Sequence, residues 1–371
     1  MSELECRGCR EHHGHVVLDL GDQPACDCFP ERDAPGPDPV YPLQMWLCGS
    51  CGLAQLLADP TTPDEPRGVE PAALVAQAED AVSLVTKAGL LPPGTSVAEY
   101  GSPHGGSWTG ILRAQGLTLS SAEAAADAVI DCFGLMHAPQ QALALADRAA
   151  RVTANGVLLL QYHSLDAIIR HRQWNALRHG HFAYYSTTAI STMLATVGFS
   201  PQTAWTFDLY GGTVLLAARR RADGRGHPDA RVRALLAADA RTGVRDPGTV
   251  GILQRAARDQ AARLHDWLAT QRAAGHTVLG YGAASRAVAM LQLADVDSRL
   301  LTAIADASPA KQGRRMPGSM IPIISPAELI DVRPDLVLVF VPDLIPEIRA
   351  KYYEIERDGG HWVAVDALTG S

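Results

Sequence analysis

The chain has 371 residues, 47% hydrophobic and 19% charged, with a formal charge of −8 and a pI near 5.9. This composition excludes a wholly disordered chain, and the acidic balance supplies no global positive field for nucleic acid or anionic membrane. The length suits two or three domains, no apolar run reaches the roughly 18 residues of a membrane span, and Met1-Ser2-Glu3-Leu4-Glu5 lacks the features of an export signal. A soluble, cytoplasmic protein is expected, with neither nucleic acid nor membrane as partner.

Seven cysteines, an odd number, argue against a disulfide framework. Four form two C-x2-C knuckles, Cys6-Arg7-Gly8-Cys9 and Cys48-Gly49-Ser50-Cys51. Two such turns close a tetrahedral Zn2+ site with no open coordination position, so the metal is expected to be structural. Cys26, Cys28 and Cys132 are assigned to packing. Proline-rich residues 33–39 are expected to be loop, and residues 60–71 separate this module from the rest of the chain.

The apolar spacing is helical from Ala72 to Ala88, and Pro92-Pro93-Gly94 ends it. A strand at Ser96–Tyr100 then runs into Gly101-Ser102-Pro103-His104-Gly105-Gly106 and a helix to about Gln115. Strand, glycine-rich turn and helix are how an open parallel sheet presents a ligand site at a strand's carboxyl end. Further strands are predicted at Ala128–Cys132, Gly156–Tyr162 and Thr213–Ala217, with a helix across Pro139–Val152. The candidate second strand, Leu117–Ser120, stands too close to the next one. A parallel crossover with its helix needs at least about ten residues, so one strand–helix unit of the usual sheet is missing.

Residues 219–228 read as a polar linker. A helix over Thr249–Ala274 leads to a second strand–glycine–helix unit: His276–Tyr281, Gly282-Ala283-Ala284-Ser285, and a helix from Arg286. Strands at Leu301–Ala305, Leu336–Val341 and Trp362–Val365 complete a second α/β unit.

Both ends carry longer signatures. At the front stand Leu18-Asp19-Leu20-Gly21-Asp22-Gln23-Pro24 and Tyr41-Pro42-Leu43, followed by Cys48-Gly49-Ser50-Cys51-Gly52-Leu53. At the back stand Tyr281-Gly282-Ala283-Ala284-Ser285-Arg286, Asp306-Ala307-Ser308-Pro309-Ala310-Lys311, and Met316-Pro317-Gly318-Ser319. Together they resemble the sugar C-methyltransferase family, which uses S-adenosylmethionine (SAM) to methylate a carbon of nucleotide-linked keto-deoxysugars in antibiotic pathways. The resemblance implies an α/β architecture of three parts. These are a small zinc-binding module over 1–60, a central class I methyltransferase-like, truncated Rossmann-like domain over 61–218, and a carboxyl-terminal Rossmann-like substrate- and nucleotide-binding domain over 219–371. It also implies a small-molecule substrate such as a dTDP-sugar or another natural-product intermediate, with the monomer and homodimer both open.

The middle departs from the family pattern. The family's cofactor loop reads acid-x-Gly-Ser-Asn-Asp-Gly; here it is Glu99-Tyr100-Gly101-Ser102-Pro103-His104-Gly105. Glu99, Gly101 and Gly105 are the implied SAM contacts, Pro103 removes an N–H donor, and Glu123 is the candidate for the ribose hydroxyls. The family's Tyr-His-Glu-His run becomes Arg178-His179-Gly180-His181. His181 is the expected general base, with His179 and His137 as proton relays or enolate stabilisers. Tyr184 in the following aromatic segment, Gly282, Arg286 and Lys311 are the expected substrate contacts, the last three around a diphosphate at a helix N-terminus. Tyr210-Gly211-Gly212-Thr213 resembles a His-Gly-Gly-Ser turn of the family. The lost polar residues support a second reading, an enzyme on this scaffold that catalyses His-dependent proton transfer, cyclisation or hydrolysis without SAM. A third is a non-catalytic partner of another pathway protein.

Overall fold

The computed structural model describes residues 4–61, 69–103, 105–121, 124–221 and 227–369; Glu123 and His104 lie outside them. Strands β1 (Gly14–Pro24) and β2 (Val40–Cys48) form an antiparallel hairpin that β3 (Ala54–Leu56) extends. Leu18, Leu20, Leu43, Met45 and Leu47 bury one face of the hairpin in one core, and Trp46 is buried on the other face in a second core. The proline-rich loop at residues 33–39 is irregular, as its composition predicts. It is also a strap. Arg315, 2% exposed at its side chain, donates from Nη1 and Nη2 to Asp38 at 2.5 and 2.8 Å, and Gly318 N donates to the same carboxylate at 2.7 Å. Arg314 adds an ion pair to Glu31 at 2.9 Å.

Along the chain come β4 (Ser96–Tyr100), β5 (Thr118–Leu119), β6 (Ala126–Cys132), β7 (Val152–His163), β8 (Ala183–Tyr184), β9 (Phe199–Phe207) and β10 (Thr213–Arg220). All but β8 form one sheet in the order β5-β4-β6-β7-β10-β9, parallel through β7, with β10 antiparallel to both neighbours. The missing unit does not break this sheet, and the register shows why. Leu119 and Ala128 both stand level with Val97, on opposite sides of β4. Leu119 and Ala126, the ends of this connection, therefore stand two strand spacings apart, about 10 Å, with a drop of two residues along the strands. Among the described residues this connection carries no helix.

Several elements escape the sequence reading, three of them on the far edge of this sheet. Strand β9 contains Pro201 and four polar residues, yet Phe199, Ala204 and Trp205 are buried against the sheet. The helices Thr187–Thr196 and Ala230–Thr242 pack on it, capped by the Ser186 hydroxyl and the Asp229 carboxylate. Strand β10 runs on through Arg220, so the linker expected from residue 219 starts later.

In the last third, the helix Ile252–Ala273 precedes β11 (Val278–Tyr281), the helix Ser285–Leu293, β12 (Ile304–Ala305), β13 (Ile323–Ile324), β14 (Leu336–Val339) and β15 (His361–Ala364). These strands are parallel in the order β13-β12-β11-β14-β15, a Rossmann-like sheet. The order reverses at β11 here and at β4 in the central sheet, and ligands bind outside the carboxyl ends of strands at such points.

Replacing Asp38 by alanine leaves the buried Arg315 guanidinium unpaired. The expected loss is about 3–5 kcal/mol in urea-induced unfolding; a loss below about 1 kcal/mol shows that the strap is a surface contact.

Candidate active site

The four knuckle sulfurs converge. Cys6 Sγ lies 3.6 Å from Cys51 Sγ, Cys9 Sγ lies 3.6 Å from Cys48 Sγ, and all four fall within 4.8 Å of one another. Zn–S bonds of ~2.3 Å give tetrahedral edges of about 3.8 Å, so this donor set fits zinc with every position filled. Cys6, Cys9, Cys48 and Cys51 form a structural zinc site.

Beyond the second knuckle, β3 hands this rigidity to the histidine run. Strand β8 pairs with β3, placing Tyr184 opposite Ala54, and Leu56 N donates to Phe182 O at 3.2 Å. Gly180 N donates to Asp59 Oδ2 at 2.6 Å. On the other side, Phe182 N donates to Met136 O at 2.8 Å and His137 Nδ1 to Gly180 O at 2.9 Å. Gly180 has φ of +78°, where a side chain such as the family's glutamate is strained.

This clamp separates the two histidines of the run. His181 enters a cavity of ≈ 260 Å³, its ring 4.4 Å from that of His137. His179 does not line that cavity. Its ring lies 6.1 Å from Tyr41 with Nε2 3.4 Å from Pro42 O, and burial pushes its pKa down. The Gly180 turn, pinned by Asp59, sends His179 back to the hairpin, so the expected relay His179 stands apart from His137 and His181.

The cavity lies where the carboxyl ends of the two parallel sheets meet. From the central sheet come Ser102 and Gly105 after β4, Phe133 and His137 after β6, and His163 at the end of β7. From the last sheet come Gly282 and Arg286 after β11 and Asp343 after β14. Gly282 has φ of +91°, and a Cβ there would meet Val341 Cγ2 at 2.7 Å, so only glycine fits. Arg286 opens the Ser285–Leu293 helix and lies 5.3 Å from the Tyr210 ring centroid. Lys311 is buried and donates to Ala283 O at 2.9 Å, while Asp306 accepts from Ala283 N at 2.8 Å. Both brace the glycine turn, although each also borders the cavity. Tyr184 lines the cavity with its hydroxyl accepting from Arg178 N at 3.1 Å.

His163 is the wall residue that the sequence reading missed. Burial, then the charges of Arg286 and Arg178, push its pKa down to about 3, and its Nε2 donates to Gln173 Oε1 at 3.0 Å. It is neutral at any physiological pH. Asp343 was missed too; burial pulls its pKa up against the opposing charge of Arg286. Both come after predicted strands at their carboxyl ends, the one signal that could have found them.

The glycine loop is only partly as expected. Glu99 does not line the cavity. Its carboxylate accepts from Ser107 Oγ at 2.7 Å, Trp108 N at 2.5 Å and Thr109 Oγ1, holding the start of the Thr109–Ala114 helix. Gly105 and Gly106 have φ of +102° and +84°, and a Cβ on Gly101 would meet nothing within 4 Å. Backbone freedom and open space thus fit the aminoacyl end of SAM. The Gly106 N–H, however, already donates to Glu70 Oε1 at 2.6 Å. Glu70 lies in a stretch that carries no legible pattern.

Because β8 depends on β3, Cys48→Ser is expected to release zinc and to strip hydrogen-exchange protection from residues 178–185 before β6 is affected. Wild-type protection across that run in the zinc-free variant would separate the metal from the histidines.

Comparison with known proteins supports the same reading. Residues 6–65 match a family model described as "Putative zinc binding domain", and residues 208–365 one described as "C-methyltransferase C-terminal domain". The C-methyltransferase NovU of Streptomyces niveus is 23% identical over 401 residues, covering 97% of this chain and 94% of its own. Among solved structures, magnesium protoporphyrin IX methyltransferase from Synechocystis PCC 6803 with bound SAH aligns with 40% of this chain and 84% of its own, at 13% identity and a TM-score of 0.31. The N-methyltransferase NodS from Bradyrhizobium japonicum WM9 aligns with 41% of this chain and 90% of its own, at 13% and 0.30. A zinc-binding-domain match in front, a C-methyltransferase carboxyl-terminal-domain match behind and a relative spanning nearly the whole length make the chain a methyltransferase enzyme similar to C-methyltransferases.

Proposed function

We propose that this enzyme methylates a carbon of an anionic small molecule, such as a nucleotide-linked keto-sugar or another natural-product intermediate, in the cavity between its two parallel sheets. The observation that carries this reading is the convergence of both switch points, at β4 and β11, on one space that His137 and His181 enter. The backbone of Gly101, Ser102 and Gly105 would hold SAM, which supplies a methyl group on a positively charged sulfur. Glu70, on the Gly106 N–H, must share or yield that donor when a cofactor carboxylate arrives.

The remaining work falls to side chains. Arg286, at a helix start beside the Gly282 turn, holds the substrate's anionic group. The imidazole pair takes the proton from the carbon next to the ketone, which leaves an enolate as the nucleophile. The His137 Nδ1 proton is committed to Gly180 O, so Nε2 is its acceptor nitrogen. Buried Tyr184 and neutral His163 shape the wall without adding charge.

Calorimetry with SAM and S-adenosylhomocysteine is expected to give saturable binding at one site per chain. A flat titration removes methyl transfer and leaves the reading of proton transfer on the same scaffold. His181→Ala is expected to lower turnover by about 100-fold or more with SAM affinity unchanged; full turnover dismisses His181 as a proton acceptor.

A further inference from the structure

Arg178 occupies a peculiar place. Its Nε donates to His181 Nε2 at 2.8 Å. A guanidinium keeps its hydrogens at any physiological pH, so Arg178 can only donate. His181 Nε2 must then accept, its proton sits on Nδ1, and the lone pair that a base needs is engaged. A base in this state is capped.

The capping group is short of counter-charge. Arg178 and Arg286 both border the cavity, and among the described residues neither has a carboxylate oxygen within 4.0 Å. Each feels the other: the charge of Arg178 works with burial to pull the Arg286 pKa down, and both cations depress His163. Asp343 lies in the same wall but is itself pushed toward the neutral form by burial. Two half-buried cations lining one space, with no carboxylate oxygen of the described residues within 4.0 Å of either, call for an anion.

We propose that Arg178 is a positioning residue that responds to the ligand: an anionic group bridging Arg178 and Arg286 draws the Arg178 guanidinium off His181 and releases Nε2 as the proton acceptor. The proton then moves from the substrate carbon to Nε2, and the C–H electron pair passes to the neighbouring carbonyl as an enolate. An empty enzyme keeps its base capped, and a loaded one uncaps it. The bridging chemistry is a phosphoryl group or a carboxylate. This inference rests on the proton-acceptor reading of His181 and is independent of SAM. Arg178 donates to the His181 ring and the His137 ring lies against it; Arg286, Lys311, Asp306 and Asp343 share the cavity lining with it, and Asp59 accepts from the N–H of the neighbouring Gly180.

The test uses the full-length, zinc-loaded protein labelled with 15N-histidine, and two-bond 1H–15N spectra of its imidazoles. Without ligand, His181 is expected as the Nδ1–H tautomer with a hydrogen-bonded Nε2. Pyrophosphate, as the phosphoryl probe, or acetate, as the carboxylate probe, is expected to move the Nε2 resonance toward its unbonded position along a saturating isotherm. Whichever probe does so identifies the bridging chemistry. Arg178→Leu is expected to produce the same shift with no ligand, and Arg286→Gln to weaken probe binding by about tenfold. An unmoved Nε2 signal while a probe binds overturns the release, and so does failure of both probes to bind. If His181→Ala retains turnover while the signal does move, the fault lies in the proton-acceptor reading and not in the Arg178 response.

Discussion

The histidine run of residues 178–185 has no element of its own to hold it in place. Strand β8 is two residues long, and a pair of that size is not stable alone. It exists because β3 offers an edge, and β3 exists because the second zinc knuckle fixes the turn that precedes it. Asp59 and Met136 then pin the same run from opposite sides. A metal that takes no part in the chemistry thus sets where His181 stands. Structural metal sites contribute folding energy outright, and here backbone hydrogen bonds connect the zinc module to the cavity wall.

The second constraint is the meeting of two sheets at their carboxyl ends. Each parallel sheet has one reversal of strand order, and each reversal opens a crevice. The strap of Asp38 on Arg315 ties the front hairpin to the last sheet, while β8 ties it to the central sheet's turn after β6. The zinc module therefore touches both walls. Loss of a strand–helix unit shortens the central sheet without disturbing this arrangement, because β5 pairs only with the first residues of β4.

Electrostatics inside the cavity depend on which charges are paired. Asp131 and Arg148, buried away from the cavity lining, are joined at 2.5 Å, and Asp306 in the lining accepts from the backbone N–H groups of Ala283 and Ser308. Burial and the nearby arginines keep His163 neutral. Arg178, Arg286 and Lys311 thus line the cavity together with Asp306 and Asp343, in a chain whose net charge is negative.

The sequence alone determined the zinc ligands, because four cysteines at knuckle spacing admit little else. It also determined the two glycine turns and the strands that precede them, since a short apolar run before a glycine turn is a local pattern. The shortened sheet was legible from residue counts, because chain length limits a crossover. What only tertiary structure decided is where side chains point. Glu99 turned to a helix start, His179 turned to the hairpin, Glu70 closed on the Gly106 N–H, and His163 and Asp343 reached the cavity wall at or just past the ends of strands. Arg178, three residues away through a glycine turn at positive φ, proved to donate to His181. Direction at a turn depends on the contacts that pin it, and those from Asp59 and Pro42 come from more than a hundred residues away in the chain.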